Sequence, residues 1–120
     1  MKITVCGSMS FSKEMLYCKE LLEGHYGHVV VVPEDTEDYA AGRVNDEPAS
    51  NRKIQHGLIK KHFEKIDASD AILVLNFSKN GTEYYIGANT FLEMGVAYRR
   101  GITIFLLNPP PRQSLHLGRS

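Results

Sequence analysis

Residues 87–97 read GANTFLEMGVA and follow an apolar run and a polar loop. This pattern predicts a helix that begins here, because Asn89 or Thr90 can cap the first free amides and apolar residues such as Leu92 recur at helical spacing. Glu93 then lies in the first turn, where the helix dipole favours the ionised carboxylate that a nucleophile requires. The same letters also fit a capping box, in which Glu93 bonds back to the amide of Thr90. The residues alone leave both interpretations of Glu93 open.

Four apolar runs and the helical segments between them predict the fold around this helix. The runs are bounded by turn residues, which is typical of buried strands, and they span residues 2–6, 28–32, 70–76 and 102–107. Because a helix separates each strand from the next, the strands are expected to run parallel with right-handed crossovers. The sequence therefore predicts an α/β fold: a doubly wound open parallel sheet, Rossmann-like or flavodoxin-like, with strand order about 2-1-3-4 and three α/β/α layers.

The connecting segments carry the other predicted helix caps and one long loop. Ser10 or Ser12 can cap the first helix, and Ser50 or Asn51 can cap the second. Residues 33–49 are polar and acidic, and so long a loop in a small domain is usually a functional lid or partly disordered. We expect its acidic residues to face solvent.

Composition narrows the class of protein. The 120 residues carry 14 Lys plus Arg and 14 Asp plus Glu, so no net charge draws the chain to a nucleic acid polymer or a membrane surface. No apolar run reaches transmembrane length, and the chain opens on a strand pattern rather than a signal peptide. Cys6 and Cys18 lack CxxC spacing and are predicted to be buried, reduced thiols. We expect a cytoplasmic protein with one domain over residues 1–111 and a flexible tail over residues 112–120.

Polar residues follow the predicted strands at the edge of the sheet where ligands bind in this class of fold. Gly7, Ser8 and Met9 follow the first strand, Asn76 follows the third, and Asn89 opens the next helix. The turn at Ser8 can present amides and a hydroxyl to a phosphate or sugar oxygen, or it can be a tight turn with a helix cap. The sequence therefore predicts one polar site at this edge.

The remaining candidate residues favour no other chemistry. Tyr85 lies beside the expected site, where an exposed aromatic ring can stack on a base. His25 and His28 have no Cys or carboxylate partner set, so no metal site is predicted, and no cofactor is expected. His56 and His62 lie six residues apart on the second helix and do not share a face. A G-x-S-x-G elbow is absent, which disfavours a serine hydrolase.

The segment around Glu93 resembles the G-x-x-x-E-x-G-x-A signature of the nucleoside 2-deoxyribosyltransferase superfamily, which includes 2'-deoxynucleoside 5'-monophosphate N-glycosidases. The opening strand with its Gly-Ser turn and the run SDAILV at residues 69–74 extend the resemblance over most of the chain. The resemblance implies that Glu93 attacks C1' of a small nucleoside or nucleotide and forms a covalent glycosyl-enzyme intermediate. A second base or water then resolves this intermediate with net retention.

The resemblance also implies roles for individual positions. It makes the turn at Gly7 and Ser8 the holder of the ribose or its 5' substituent. Eight residues before Asp70, where the family usually places an aspartate that helps protonate the departing base, this sequence has His62, which can act as a general acid near neutral pH. The predicted substrate-binding residues are Gly7, Ser8, Met9, Asn76, Tyr85, Gly87, Asn89 and Thr90.

Two departures from the family leave alternatives open. Six residues before Glu93, transferases carry an aspartate for the sugar 5'-hydroxyl and the monophosphate hydrolases a serine, whereas this sequence has Gly87. The resemblance therefore does not choose between a nucleoside and a 5'-monophosphate substrate, or between transfer and hydrolysis. A catalytically silent nucleotide-binding module is a further alternative. In the transferases, C-terminal residues of a neighbouring subunit complete the site, but the tail here does not match them. An uncovered edge at the fourth strand favours a homo-oligomer, a dimer or larger.

Overall fold

Strands and helices alternate along residues 1–44 and 52–108, the part of the chain that a computed structural model describes. The strands are β1 (Lys2–Gly7), β2 (Val29–Val31), β3 (Ala71–Leu75) and β4 (Thr103–Leu106). The helices are α1 (Ser12–Tyr26), α2 (Thr36–Ala40), α3 (Arg52–Asp67) and α4 (Ala88–Arg99), with a 3-10 turn over Met9–Phe11 before α1.

The four strands form one parallel sheet in the order β2-β1-β3-β4. This confirms the predicted strand order and the α/β/α class. The register pairs Gly7 with Leu75, and Val74 with Leu106, so the carboxyl ends of β1, β3 and β4 share one edge of the sheet. The residues that follow these strands are therefore neighbours in space.

The two faces of the sheet carry separate cores, because neighbouring residues of a strand point to opposite faces. Val5 packs with Met15 of α1 in one core, whereas Cys6, the next residue of β1, packs with Ile66 of α3 and Ala97 of α4 in the other. The helices α3 and α4 thus cover one face together. The Cys6 side chain of β1 therefore contacts both helices.

The first helix starts differently from the prediction. The chain makes the 3-10 turn first, and the Ser10 amide donates to Ser8 Oγ at 3.3 Å. The predicted caps Ser10 and Ser12 are therefore wrong, because Ser8 caps the turn and α1 begins at Ser12 without a side-chain cap. The helix ends at Gly27, which adopts the left-handed conformation (φ 69°) that glycine tolerates without strain.

The predicted long loop contains a short helix that sequence patterning did not predict. Residues 36–40 form α2, and Thr36 is buried with its hydroxyl donating to the Pro33 carbonyl at 2.6 Å. The helix packs against α1. The predicted caps Ser50 and Asn51 and the predicted tail, residues 112–120, lie outside the described residues.

The helix α4 corrects the first interpretations of Glu93. It begins at Ala88, with Gly87 as its N-cap and no side-chain cap hydrogen bond, so neither Asn89 nor Thr90 caps it. Glu93 consequently lies in the second turn rather than the first, and the capping box with Thr90 does not form. Gly87 has an extended backbone and is followed directly by the helix. The helix therefore begins one or more residues before the position that a cap at Asn89 or Thr90 predicts.

The buried face of α4 carries two polar side chains. Leu92 is 57% exposed, whereas Thr90, Glu93 and Ala97 are buried. These three residues recur at spacings of three and four, as one face of a helix requires. The polar face of α4 is therefore turned inward toward the ends of the strands.

Within the described residues, no helix combines the length and the apolar character needed to cross a membrane.

Candidate active site

Three side chains from three elements meet at the carboxyl end of the sheet. They are Cys6 near the end of β1, His62 of α3 and Glu93 of α4, and all three are buried. The His62 Nε2 atom lies 2.7 Å from Glu93 Oε2 and 3.6 Å from Cys6 Sγ, with which it shares a hydrogen bond. Glu93 and His62 are each 8% exposed, so they reach solvent only at one edge.

The apolar core fixes this arrangement. Ile66 follows His62 by one helical turn and is fully buried, and Ala97 stands in the same relation to Glu93. Residues four apart lie on the same helix face, so the contacts of Ile66 and Ala97 with the sheet aim His62 and Glu93 inward as well. Ala97 is small, which lets α4 lie close to the strands.

His62 Nε2 and Glu93 Oε2 are close enough for an ion pair, but their orientation does not meet the geometry of a hydrogen bond. Among the described residues, neither Glu93 Oε2 nor His62 Nδ1 finds a hydrogen-bond partner, although both atoms are buried. Buried polar atoms in folded proteins almost always have such partners. A buried carboxylate oxygen with free lone pairs is costly to stability, and it is available to a bound molecule.

The third member of the cluster, Cys6, carries a neutral thiol. Burial raises the pKa of the Cys6 thiol well above its ordinary value, and the negative charge of Glu93 raises it further. A thiol attacks only as the thiolate. Cys6 therefore remains protonated at neutral pH and packs beside the His62–Glu93 pair.

A cleft of about 330 Å³ opens onto this pair. That volume falls at the lower end of the range of small-molecule sites. The segment that follows β2 contributes residues between Pro33 and Tyr39 to the wall, and Lys61 Nζ of α3 lies 3.3 Å from Glu34 Oε2. The residues lining the cleft are Gly7, Met9, Pro33, Glu34, Asp35, Tyr39, Leu58, Ile59, Lys61, His62, Phe63, Lys65, Asn89 and Glu93.

A second cleft of about 430 Å³ adjoins the first and shares Met9 and Tyr39 with it. Hydroxyls and ammonium groups dominate its wall. Lys79 Nζ donates to Ser8 Oγ at 2.9 Å and lies 5.0 Å from the centre of the Tyr85 ring. The Lys79 ammonium is therefore held where it can attract an anionic group of a molecule bound in the first cleft.

The structure brings five of the predicted site residues to the main cleft: Gly7, His62, Met9, Asn89 and Glu93. Ser8 lines the second cleft instead. Gly87 lies against Tyr85, since a Cβ at position 87 would stand 3.0 Å from the Tyr85 hydroxyl oxygen. Thr90 is buried on the same face of α4 as Glu93 but lines neither cleft.

Asn76 joins two strand ends. Its amide nitrogen donates to the Asn108 carbonyl at 2.7 Å, and its amide oxygen accepts from the Asn108 amide at 2.8 Å. The Asn108 side chain donates back to the Asn76 carbonyl at 3.2 Å. These bonds engage both ends of the Asn76 side chain and hold the chain after β3 beside the chain after β4.

Cys6, Asp35 and Tyr39 belong to the site but were absent from the sequence-based set. For Cys6 a signal existed, because it precedes the predicted turn residue Gly7 and its side chain must point to the opposite face from Val5. Asp35 and Tyr39 lie in the acidic segment where no helix was predicted. Nothing in the sequence pattern distinguished them from solvent-facing residues.

Comparison with known proteins identifies the fold. The solved structures that match include a 2-deoxyribosyltransferase from Bacillus psychrosaccharolyticus (TM-score 0.64, 17% identity), which covers 94% of this chain and 79% of the other. They also include a conserved protein from Enterococcus faecalis V583 (TM-score 0.55, 20% identity), covering 99% of this chain and 75% of the other. No protein-family model and no curated protein matches the chain. The chain therefore has a nucleoside 2-deoxyribosyltransferase-like fold, as the sequence resemblance predicted.

Proposed function

We propose that this protein cleaves or transfers the N-glycosidic bond of a (deoxy)nucleoside or nucleoside 5'-monophosphate through a covalent glycosyl intermediate on Glu93. The observation that carries the proposal is a buried carboxylate oxygen without a hydrogen-bond partner, 2.7 Å from an imidazole nitrogen, at the base of a cleft of nucleoside size. The cleft lies where ligands bind in doubly wound sheets. The related fold of a 2-deoxyribosyltransferase supports the same reaction class.

The two charged side chains divide the first step between them. Glu93 Oε2 attacks C1' of the sugar, and the C1'–N bond breaks with its electron pair passing to the base nitrogen. The base departs from the face of the sugar opposite Glu93, so His62, whose Nε2 lies 2.7 Å from Glu93 Oε2, has to turn from the carboxylate toward the base nitrogen to give it a proton. A second base or water then attacks C1' from the side opposite Glu93, gives its proton to His62 and releases Glu93, which leaves the anomeric configuration unchanged overall.

The neighbouring groups suit the rest of a nucleoside. Gly7, Met9 and Asn89 line the cleft beside Glu93, within reach of a sugar. The Tyr85 hydroxyl fills the space where a side chain at position 87 would begin. Position 87, where the resemblance implies the contact with the sugar 5' substituent, thus has no side chain of its own, and the adjacent Tyr85 lines neither cleft.

We further propose that the protein is a homo-oligomer that associates through the outer face of α4. Phe91, Leu92 and Tyr98 are 68%, 57% and 82% exposed on this one helix. Large apolar side chains grouped on an exposed surface are typical of protein interfaces. This face lies directly behind Glu93, so association would also stiffen the helix that carries the nucleophile.

A second candidate function is a catalytically silent nucleotide-binding module. The sequence departures at His62 and Gly87 favour it, because neither position carries the side chain that the resemblance to the transferases and monophosphate hydrolases implies there. Such a module would bind a nucleotide in the same cleft without breaking it. Ligand-dependent stabilisation without release of base would be its signature.

Release of free base distinguishes these functions. The protein is incubated with a panel of 2'-deoxynucleosides and their 5'-monophosphates, with and without an acceptor base, and the products are separated by chromatography. We expect base release or exchange with the wild-type protein and its loss in Glu93→Gln, whereas Glu64→Gln, an exposed glutamate of α3, keeps it. Wild-type turnover by Glu93→Gln would overturn the proposed nucleophile.

A further inference from the structure

We propose that Cys6, His62 and Glu93 form a binding site for one divalent transition-metal ion of the Zn²⁺ class, with an open fourth position toward the main cleft. The three residue types supply thiolate sulfur, imidazole nitrogen and carboxylate oxygen, which are the ligands that Zn²⁺ takes in proteins. Their candidate ligand atoms all lie within 4.8 Å of one another. Metal binding at this cluster does not depend on the glycosidic activity proposed above.

The distances between the ligand atoms are close to those around a tetrahedral ion. With a Zn–S bond of about 2.3 Å and a Zn–N bond of about 2.05 Å, sulfur and nitrogen at the tetrahedral angle lie about 3.5 Å apart. Cys6 Sγ and His62 Nε2 are 3.6 Å apart. Nitrogen and oxygen need about 3.3 Å, so Glu93 Oε2 has to move outward by roughly 0.6 Å from its position 2.7 Å from His62 Nε2. A small carboxylate rotation supplies such a movement.

Charge and hydrogen bonding favour an ion at this point. A thiolate and a carboxylate together carry two negative charges, so a divalent ion makes the buried cluster neutral. The Glu93 Oε2 atom is buried and has no hydrogen-bond partner within residues 1–44 and 52–108. Coordination would satisfy that oxygen, and the Cys6 proton would leave to solvent as the metal–sulfur bond forms.

The site has the composition of a reactive metal centre rather than a structural one. Structural zinc sites have four protein ligands, whereas catalytic sites have three and leave the fourth position to water or a substrate. His62 and Glu93 line the main cleft and Cys6 lies behind them, so the fourth position faces the cleft. The ring nitrogen His62 Nδ1 is buried without a partner among the described residues, and loss of such an outer hydrogen bond typically weakens metal affinity by about 10–100-fold. We therefore expect reversible binding.

Occupation of the site has a consequence for the proposed glycosyl transfer. The ion would bind the same Glu93 oxygen that attacks C1', so Zn²⁺ and the sugar would compete for it. This consequence rests on the proposed function, whereas binding itself does not. Zn²⁺ is thus expected to act as a reversible inhibitor that chelation removes.

Titration with Co²⁺ tests the site directly, because cobalt reports its ligands by absorbance. The reduced, metal-free protein is expected to bind one Co²⁺ with a near-ultraviolet thiolate-to-cobalt band and intense visible bands typical of four-coordinate geometry, and Zn²⁺ should displace both. Cys6→Ser is expected to lose the thiolate band, and His62→Gln should weaken binding by about 100-fold or more, since even outer-sphere changes reach that size.

Matched variants separate this cluster from other cysteines and histidines. Cys18→Ser alters the other free cysteine, and His56→Gln alters an exposed histidine of the same helix. Both are expected to keep the full cobalt spectrum. Circular dichroism of Cys6→Ser and His62→Gln without metal establishes that each is folded, and if one does not fold, the other serves as the test variant.

Three results would overturn the site: no binding of cobalt, a wild-type cobalt complex without a thiolate band, or a band that Cys18→Ser abolishes and Cys6→Ser retains. If cobalt binds as expected and no nucleoside is turned over, the proposed function fails while the metal site stands. If turnover occurs and no metal binds, only the metal site fails.

Discussion

The two faces of α4 differ in an unusual way, because polar side chains are buried beside Ala97 on one and large apolar side chains are exposed on the other. The inner face buries Thr90 and Glu93, whereas the outer face exposes Phe91 and Tyr98. A helix that only covered a sheet would do the opposite, because burial of apolar surface is the main favourable term in folding. The buried Glu93 on the inner face therefore lowers the stability of the fold and places a carboxylate at the strand ends. The outer face leaves apolar surface for another protein to cover.

The largest expected effect comes from removing the charge of the inner face. Glu93→Gln keeps the size of the side chain and removes the proposed nucleophile, so turnover of a nucleoside substrate should fall by roughly 10⁴-fold or more. The free energy of unfolding should stay the same or rise, because a buried charge without a hydrogen-bond partner is removed. Steady-state kinetics and urea denaturation of the same variant measure both quantities. A large loss of stability would mean that Glu93 is a structural residue.

The next effect concerns the outer face. The double variant Phe91→Ser with Tyr98→Ser removes two large exposed side chains, and aromatic residues at the centre of an interface contribute about 2 kcal/mol each. The dissociation constant of the oligomer should rise by roughly 10³-fold. Sedimentation velocity over a range of concentrations measures it. Tyr17→Ser on α1, where the ring is also exposed, serves as the control. Equal behaviour of the two variants and the wild type would place any interface elsewhere.

A third prediction compares the packing of the two faces. Ala97 is fully buried beside the sheet, so Ala97→Leu overpacks the core and should lower the free energy of unfolding by about 1–3 kcal/mol. Tyr98→Leu, one residue further on the exposed face, should change it by less than about 0.5 kcal/mol. Urea denaturation, with the protein dilute enough to be monomeric, gives both values. A similar cost for both would contradict the assignment of the two faces.

The smallest expected effect is a pH dependence of the free energy of unfolding that arises from the Cys6 thiol. Because burial and Glu93 raise the pKa of the Cys6 thiol, the folded state holds this proton more tightly than the unfolded state. Stability from this group is complete below the ordinary thiol pKa of about 8.5 and is lost as the pH rises above it. Cys6→Ser should reduce the alkaline loss of stability more than Cys18→Ser, whose thiol is less buried and whose pKa is raised less. Melting temperatures between neutral and alkaline pH measure the difference.

The sequence predicted the sheet because strands and their connections follow local rules. Four short apolar runs between turn residues indicated the strands, and the handedness of crossovers left few strand orders. The 2-deoxyribosyltransferase-like fold was likewise predictable from the motif around Glu93. These features depend on residues that are close together in the chain.

The arrangement of side chains in the site depends on packing between segments that are distant in the chain, so it could not be predicted from local sequence patterns. Apolar residues occur all round α4, so their spacing did not indicate that Thr90 and Glu93 occupy the buried face while Leu92 is exposed. The proximity of Cys6, His62 and Glu93 requires β1, α3 and α4 to be packed together. The helix α2 was missed because five residues in an acidic segment carry no periodic signal.

The most direct test of the central claim is the intact mass of the protein after incubation with 2'-fluoro analogues of nucleosides and their 5'-monophosphates, which slow breakdown of a glycosyl intermediate. We expect an increase in mass equal to one sugar, or one sugar phosphate, that is absent in Glu93→Gln and present in Glu64→Gln. Peptide mapping should place the adduct on Glu93. An unmodified wild-type protein whose melting temperature rises with one of these compounds would contradict glycosyl transfer and establish a binding module instead.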